Sequence, residues 1–302
     1  VPHVLGDFGR FLNNCTSWES ITSDCELFVA FGGVPLKNGQ ISQGGVGAHV
    51  QKGGLQSAVN AGVKFVNISP LRSDLLCHFE AEWLALRPST DTALMLALAH
   101  VLMNEGLQNQ DFLDRYTVGF EIFSAYLSGD SDGVPKTAEW AAEICDLPAQ
   151  EIRALARRMA RSRTMISVAW ALTRQDHGEQ PFWAAITLAA MLGQIGLPGT
   201  GIGFGYSAMN NVGLNRYQID YAAFPQGQNA VKDFIPVARL TDMLENPGGT
   251  FSYNGQFYEY PDIRLVWWAG GNPFHHHQDL NRMRRAWARP ETIIANEWCW
   301  NA

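Results

Sequence analysis

Strands that alternate with helices predict an α/β fold: a dinucleotide-binding-like parallel sheet flanked by helices, with the beginning of a second similar α/β domain at the C-terminus. Three observations carry this expectation. Short β-branched and aromatic runs end in Gly or Pro turn chemistry, as strands buried on both faces do. Helical stretches lie between and after those runs. One strand–turn pattern occurs twice.

Taken in order, Glu26–Phe31 (ELFVAF), Val63–Ile68 (VKFVNI) and Met165–Trp170 (MISVAW) read as strands. Helices are expected over Leu55–Ala61, Asp91–Asn104, Thr137–Cys145, Ala149–Ala160 and Phe182–Ile195. The helix at Asp91 follows Ser89 and Thr90, hydroxyl N-cap candidates, and carries an acid in its first turn. From Leu197 to about Gln228 the periodicity fails in a stretch of glycines, asparagines and aromatics, read as a long ordered loop against a ligand. A short helix near Pro236–Glu245 and a turn at Asn246 lead to a hairpin, Phe251–Tyr260, around Asn254-Gly255. The domain division placed on this pattern is 1–255, a first dinucleotide-binding-like domain, and 256–302, the strand–helix–strand portion of a second.

The repeated pattern is LFVAFGGVPLKN at Leu27 and LVWWAGGNPFHH at Leu265. A parallel strand ending in Gly-Gly lets backbone approach a ligand, and a helix that follows offers N–H groups to phosphate, so each copy is expected to hold a diphosphate. A tight turn after a buried strand is the plainer alternative. The next strand of such a sheet ends beside the same crevice, where side chains reach a ribose or base. Ser69, Arg72 and Asp74 hold that place in the first copy, Asn296 and Glu297 in the second. Asp91 is either a first-turn acid beside a helix dipole or a carboxylate that pairs with the donor edge of guanine. Trp170, Arg174 and His177 put an indole, a guanidinium and an imidazole after the third strand, where a crevice would lie.

Other chemistries find little support. Charged residues are only 17% and the net charge is −7 with no Lys/Arg run, which argues against a nucleic-acid or membrane-surface binder. No window approaches ~18 consecutive apolar residues, so no membrane insertion is expected. The five cysteines at 15, 25, 77, 145 and 299 form no CxxC pair and read as buried thiols. Three consecutive histidines, 275–277, cannot share one face of an element, so they read as one ligand-facing ring and no metal site. GxGxxG and GxxxxGK[ST] are absent, Gly199–Gly205 follows helix and Pro rather than a strand, and no GxSxG elbow appears.

PHVLG at Pro2, TSWE at Thr16, GGVPLKN at Gly32, NISPLRSD at Asn67, RPSTDTALMLALAH at Arg87, GDSDGVPKTAEWAAEIC at Gly129, AWALTRQDHGEQ at Ala169, LAAMLGQIGLPGTGIG at Leu188 and WWAGGNPFHHHQDLNRM at Trp267 carry a resemblance along essentially the whole chain. It resembles the molybdopterin oxidoreductases of the dimethyl sulfoxide, trimethylamine N-oxide and biotin sulfoxide reductase group. The resemblance implies two molybdopterin guanine dinucleotides held by paired dinucleotide-binding-like domains around molybdenum, with oxygen removed from a small S-oxide or N-oxide and electrons from a cytochrome or reductase. It places Gly32 and Gly33 near one diphosphate, Ser69, Pro70, Arg72 and Asp91 at that half's guanosine, and Trp170, Ala171 and Arg174 on a further cofactor wall. Asn272 and His276 would serve the second half, Asn296 and Glu297 its nucleotide end, and Pro2 and His3 the pterin. The serine that ligates molybdenum in this group lies in an SYGW-like stretch expected upstream of Val1, so no catalytic residue is named. Val1 and the apolar end of the chain read as cuts in a longer protein, a central fragment expected to be inactive alone. Such proteins occur in the periplasm and in the cytoplasm, and the sequence favours neither. A nicotinamide or flavin dehydrogenase on a similar sheet and a non-catalytic paralogue stay open.

Overall fold

The structure, a computed structural model, describes residues 2–6, 14–40, 48–75, 81–206, 208–215, 222–231, 234–270 and 272–297. The side chains of Pro2, His3 and His276, and all of Cys77 and Cys299, lie outside the described set. The chain divides into two compact units, Val1–Gln218 and Ile219–Ala302. The sequence pattern placed its division at 255, inside the second of these units. The hairpin, which a division at 255 would cut, shares a core with the strand and helix C-terminal to it: Met243, Leu244, Phe251, Tyr260 and Ala286 are buried together, with Val266 and Trp287 packed on them.

In chain order the first unit contains α1 (Pro2–Leu5), α2 (Trp18–Asp24), β1 (Leu27–Phe31), α3 (Gln51–Asn60), β2 (Lys64–Ile68), β3 (Glu82–Leu84), α4 (Asp91–Asn104), α5 (Gln110–Tyr116), α6 (Phe120–Ser128), α7 (Ala138–Cys145), α8 (Ala149–Arg161), β4 (Thr164–Val168), α9 (Gln180–Met191) and β5 (Gly201–Phe204). The five strands are all parallel, in the order β3-β2-β1-β4-β5. β1 is buried along its whole length. Its side chains alternate between two cores: Leu27, Val29 and Phe31 face the helices α4, α7, α8 and α9, while Phe28 and Ala30 face α2 and α3. Both faces are covered, so the strands are apolar runs rather than alternating ones.

Local sequence explains the helices. Ser17, Asn109 and Thr137 each accept a hydrogen bond from the third N–H beyond them, capping α2, α5 and α7. Gly119 and Gly129 bracket α6 in left-handed conformation, at φ 81° and 85°. α4 is apolar nearly all round and sits centrally, buried from Leu94 to Ala99 against its neighbours. α8 buries Ile152, Leu155, Ala156 and Met159 on one stripe and turns Arg157 out to a two-point pair with Glu105.

Several expectations shift. The third strand stops at Val168 rather than Trp170, because after Ala169 N–H donates to Phe31 O the chain closes into a 3-10 turn, Trp170–Thr173. The stretch read as a loop from Leu197 contains β5, which pairs with β4. Gly203 stands in that strand where a Cβ would meet the Tyr206 ring at 2.2 Å. α2, α5, α6 and β3 lie beyond the elements that periodicity predicts.

The second unit comprises α10 (Leu240–Glu245), β6 (Thr250–Tyr253), β7 (Gln256–Glu259), β8 (Leu265–Ala269), α11 (Pro273–His276), α12 (Leu280–Ala286) and β9 (Thr292–Asn296). Asn254 and Gly255 close the β6–β7 hairpin with φ 50° and 77°, as the twist of its strands requires. Arg282 joins α12 to α10 through Asp242 and Glu245, each at 2.6 Å. β8 and β9 form a parallel pair, with every residue of β9 exposed.

Candidate functional site at the carboxyl ends of the sheet

The strand order reverses at β1: β2 and β3 run out to one side, β4 and β5 to the other. The carboxyl ends of β1 and β4 therefore diverge into a crevice, the place where open parallel sheets bind ligands. The turns after β1, β2 and β4 meet there. Gly32 lies so close to the β4 turn that a Cβ would stand 2.6 Å from Ala169 Cβ and 2.7 Å from Leu172. Gly33 lies equally close to the β2 turn, 2.5 Å from Asp74 Cβ on the same construction. Ser69 is buried and its hydroxyl donates to Asp74 Oδ2 at 2.6 Å. Trp170 packs edge-on against Phe204 at the end of β5.

The first Gly-Gly turn differs from the expected phosphate cradle. Gly32 N–H donates to Ile68 O and Val34 N–H to Asp74 O, so these groups serve the protein itself. Pro35 interrupts the turn, and a short 3-10 turn, Asn38–Gln40, follows it. The glycines permit close packing of three turns. Positive charge is supplied instead by side chains, since Arg72 and Arg174 are exposed and neither has a carboxylate partner among the described residues. Pro70 and Ala171 are exposed beside them.

A cavity of about 730 Å³ adjoins this edge, lined by Ser89 and Thr92 at the start of α4, Phe123 and Tyr126 of α6, Gln175–His177, and Trp183 of α9. Ser89 and His177 are both held at positive φ, 66° and 51°, a strained arrangement that clusters at functional sites. Asp91 lies between Ser89 and Thr92 and is itself 7% exposed. Burial pushes its carboxyl up to about 6, with a smaller opposing effect from its own backbone N–H. A second cavity, about 280 Å³, is lined by Val4 and Leu5 of α1 together with Thr173, His177 and Phe182. Gln175, Tyr126 and Trp183 line the larger cavity and were not singled out by the sequence pattern.

In the second unit the same strand–turn pattern is built more openly. A Cβ on Gly270, at φ 76°, would meet nothing within 4 Å. Asn272 caps α11 by accepting from Phe274 N–H at 2.9 Å, and Asn296 accepts from Trp267 Nε1 at 2.6 Å. Each asparagine keeps its amide N–H₂ without a protein partner among the described residues, and Glu297, which follows Asn296, is exposed. No group of His, Cys, Asp and Glu able to hold a metal occurs among the described residues. Burial raises the thiols of Cys15, Cys25 and Cys145.

Comparison with known proteins gives a family model described as molybdopterin oxidoreductase, matching residues 12–302. The chain is 50% identical to a biotin sulfoxide reductase of Cereibacter sphaeroides over 98% of its length and 40% of that protein's. It is 42% identical to a dimethyl sulfoxide/trimethylamine N-oxide reductase of the same organism, over 100% of the chain and 38% of the relative. A trimethylamine-N-oxide reductase of Haemophilus influenzae is 40% identical over 99% of the chain and 38% of the relative. The chain spans about two fifths of the length of these curated relatives. Among solved structures, acetylene hydratase from Pelobacter acetylenicus matches 62% of this chain and 24% of that chain at 26% identity, with a TM-score of 0.46.

Proposed function

Because the chain belongs to the molybdopterin oxidoreductase family, we propose that it is part of a reductase that removes oxygen from S-oxides or N-oxides and holds bis(molybdopterin guanine dinucleotide). One observation supports this reading above others: the resemblance-bearing stretches at Gly32, Asn67 and Ala169, far apart in sequence, converge on a single crevice at the reversal of strand order. The family brings a molybdopterin cofactor with molybdenum. When bound, that cofactor supplies the metal at which oxygen is transferred, and the protein supplies binding, orientation and electrostatics.

The chain's own residues suit that task. Arg72 and Arg174, exposed and without carboxylate partners among the described residues, offer guanidinium groups to an anionic diphosphate. Asp91, once ionised, is an acceptor for the N–H edge of guanine, while Ser69, Pro70 and Arg72 shape the guanosine end. Gly32, Gly33, Trp170 and Ala171 form the wall between the strand ends, and Pro2 and His3 are assigned to the pterin. Asn272, His276, Asn296 and Glu297 are assigned to the second dinucleotide: Gly270 leaves backbone room and the two asparagine amides are donors for phosphate or ribose oxygens. Electrons come from a cytochrome or reductase partner. The longest natural form of this protein, made in a host that assembles the cofactor, is expected to oxidise reduced methyl viologen in the presence of a sulfoxide or trimethylamine N-oxide. Metal-loaded protein that turns over neither class contradicts the substrate assignment.

A further inference from the structure

We propose that Asp74 is the positioning residue of the nucleotide half of this site, joining the turn after β1 and the turn after β2 into one rigid body; this rests on the dinucleotide reading above. Neither turn is held by regular structure of its own. Residues 32–37 follow β1 without a helix, and the β2 turn contains Pro70 and a single 3-10 turn, Arg72–Asp74. Alongside the Gly32 N–H bond to Ile68 O, the backbone carbonyl of Asp74 links the two turns, and its carboxylate braces the β2 turn. Its carbonyl accepts Val34 N–H at 2.7 Å, its own N–H donates to Leu71 O at 3.1 Å, and its Oδ2 accepts the Ser69 hydroxyl at 2.6 Å. The same hydroxyl accepts Leu71 N–H at 3.2 Å, so Ser69 is engaged on two sides by the protein. Asn67 Nδ2 holds Leu71 O and Arg72 O from the last part of β2.

This wiring has two consequences. Ser69 is 1% exposed and acts through Asp74, shaping the Pro70–Arg72 backbone rather than offering a free hydroxyl to a nucleotide. A carboxylate close to an anionic diphosphate would repel it, and here the charge is offset: Oδ2 accepts the Ser69 hydroxyl proton, and Lys37 Nζ stands 3.8 Å from Oδ1. Gly33 completes the device, because any side chain there would strike Asp74 and separate the two turns.

The test uses the natural holoprotein and two readouts: guanine nucleotide retained per chain after dialysis, and GDP affinity of the cofactor-free protein at a temperature where every variant is folded. Asp74→Ala is expected to weaken GDP binding by about tenfold and Ser69→Ala by nearly as much. The double variant is expected to lose no more than Asp74→Ala alone, as two residues acting through one bond do. Asp74→Asn keeps an oxygen for the Ser69 hydroxyl and is expected to stay within about twofold of the parent. Parent-level binding by Asp74→Ala, or additive losses in the double variant, overturns the proposal while leaving the dinucleotide reading intact. A parent protein that binds no guanine nucleotide overturns both.

Discussion

Gly32→Val is expected to destabilise the Val1–Gln218 unit by about 3–5 kcal/mol, enough to unfold a marginal domain. Two effects add. Gly32 sits at φ +81°, where an L residue costs about 1–2 kcal/mol and a β-branched one more. Its Cβ would also stand 2.6 Å from Ala169 Cβ and 2.7 Å from Leu172 Cδ1, inside a packed core where overpacking costs about 1–3 kcal/mol. Neither neighbour can move away cheaply, since Ala169 N–H is bonded to Phe31 O and Leu172 N–H to Ala169 O. Gly106→Ala is the control, because Gly106 has φ +63° but open space around its Cβ position. It should cost only the backbone part, about 1–2 kcal/mol. Urea unfolding of both variants separates the two effects. A Gly32→Val protein within about 1 kcal/mol of the parent would show that the three turns do not meet as described.

Asp91→Asn is expected to stabilise the cofactor-free fold at pH 7 while weakening its hold on guanine. The carboxyl is raised from 3.8 to about 6 by burial, so the folded state binds protons more tightly than the unfolded chain. Stability therefore falls as pH rises from about 4 to about 6, and above the folded value the whole penalty is present. At pH 7 it amounts to about 3 kcal/mol for a difference of that size. Asparagine has nothing to ionise, so the variant should gain up to that amount at pH 7 and nothing below about pH 4. It also presents a donor in place of one carboxylate oxygen, and guanine binding should fall by at least about tenfold, the loss of a charged hydrogen bond. Thermal unfolding at several pH values, paired with GDP titration, reads both effects. A destabilised variant, or one that binds GDP as the parent does, would make Asp91 an ordinary helix-start acid. Gain of stability with loss of binding is the pattern of a residue kept for function.

Those two residues also show what was legible in the sequence. α4 begins at Asp91 and ends at Asn104 because its apolar run and the turn before it are unambiguous. β1 and β2 were readable for the same reason: each is a short continuous apolar run ended by turn residues. β5 was not, since Gly201 and Gly203 replace the side chains that mark a strand. Their absence is a packing requirement, with Tyr206 filling the space above Gly203. α5 and α6 carried readable caps, Asn109 and the pair Gly119 and Gly129, but their apolar faces are short. The boundary at 218 was hidden because periodicity identifies the hairpin and says nothing about which core receives it.

At the site, the sequence located the turns but not the hydrogen bonds they make. The paired Gly-Gly pattern marked both strand ends correctly, yet in the first copy the backbone N–H groups are taken by Ile68 and Asp74. Hydrogen-bond partners are tertiary facts, and no local pattern encodes them. The cavity beside His177 was hidden for a similar reason: α6 and α9 converge there only after the helical layer has packed.

The most direct test is the molybdenum and guanine nucleotide content of the longest natural form of this protein, purified from a host that makes the cofactor and analysed by elemental mass spectrometry and by nucleotide release. About one molybdenum and two guanine nucleotides per chain are expected. Folded protein with near-zero molybdenum and no guanine nucleotide would contradict the assignment of the crevice to a molybdopterin dinucleotide.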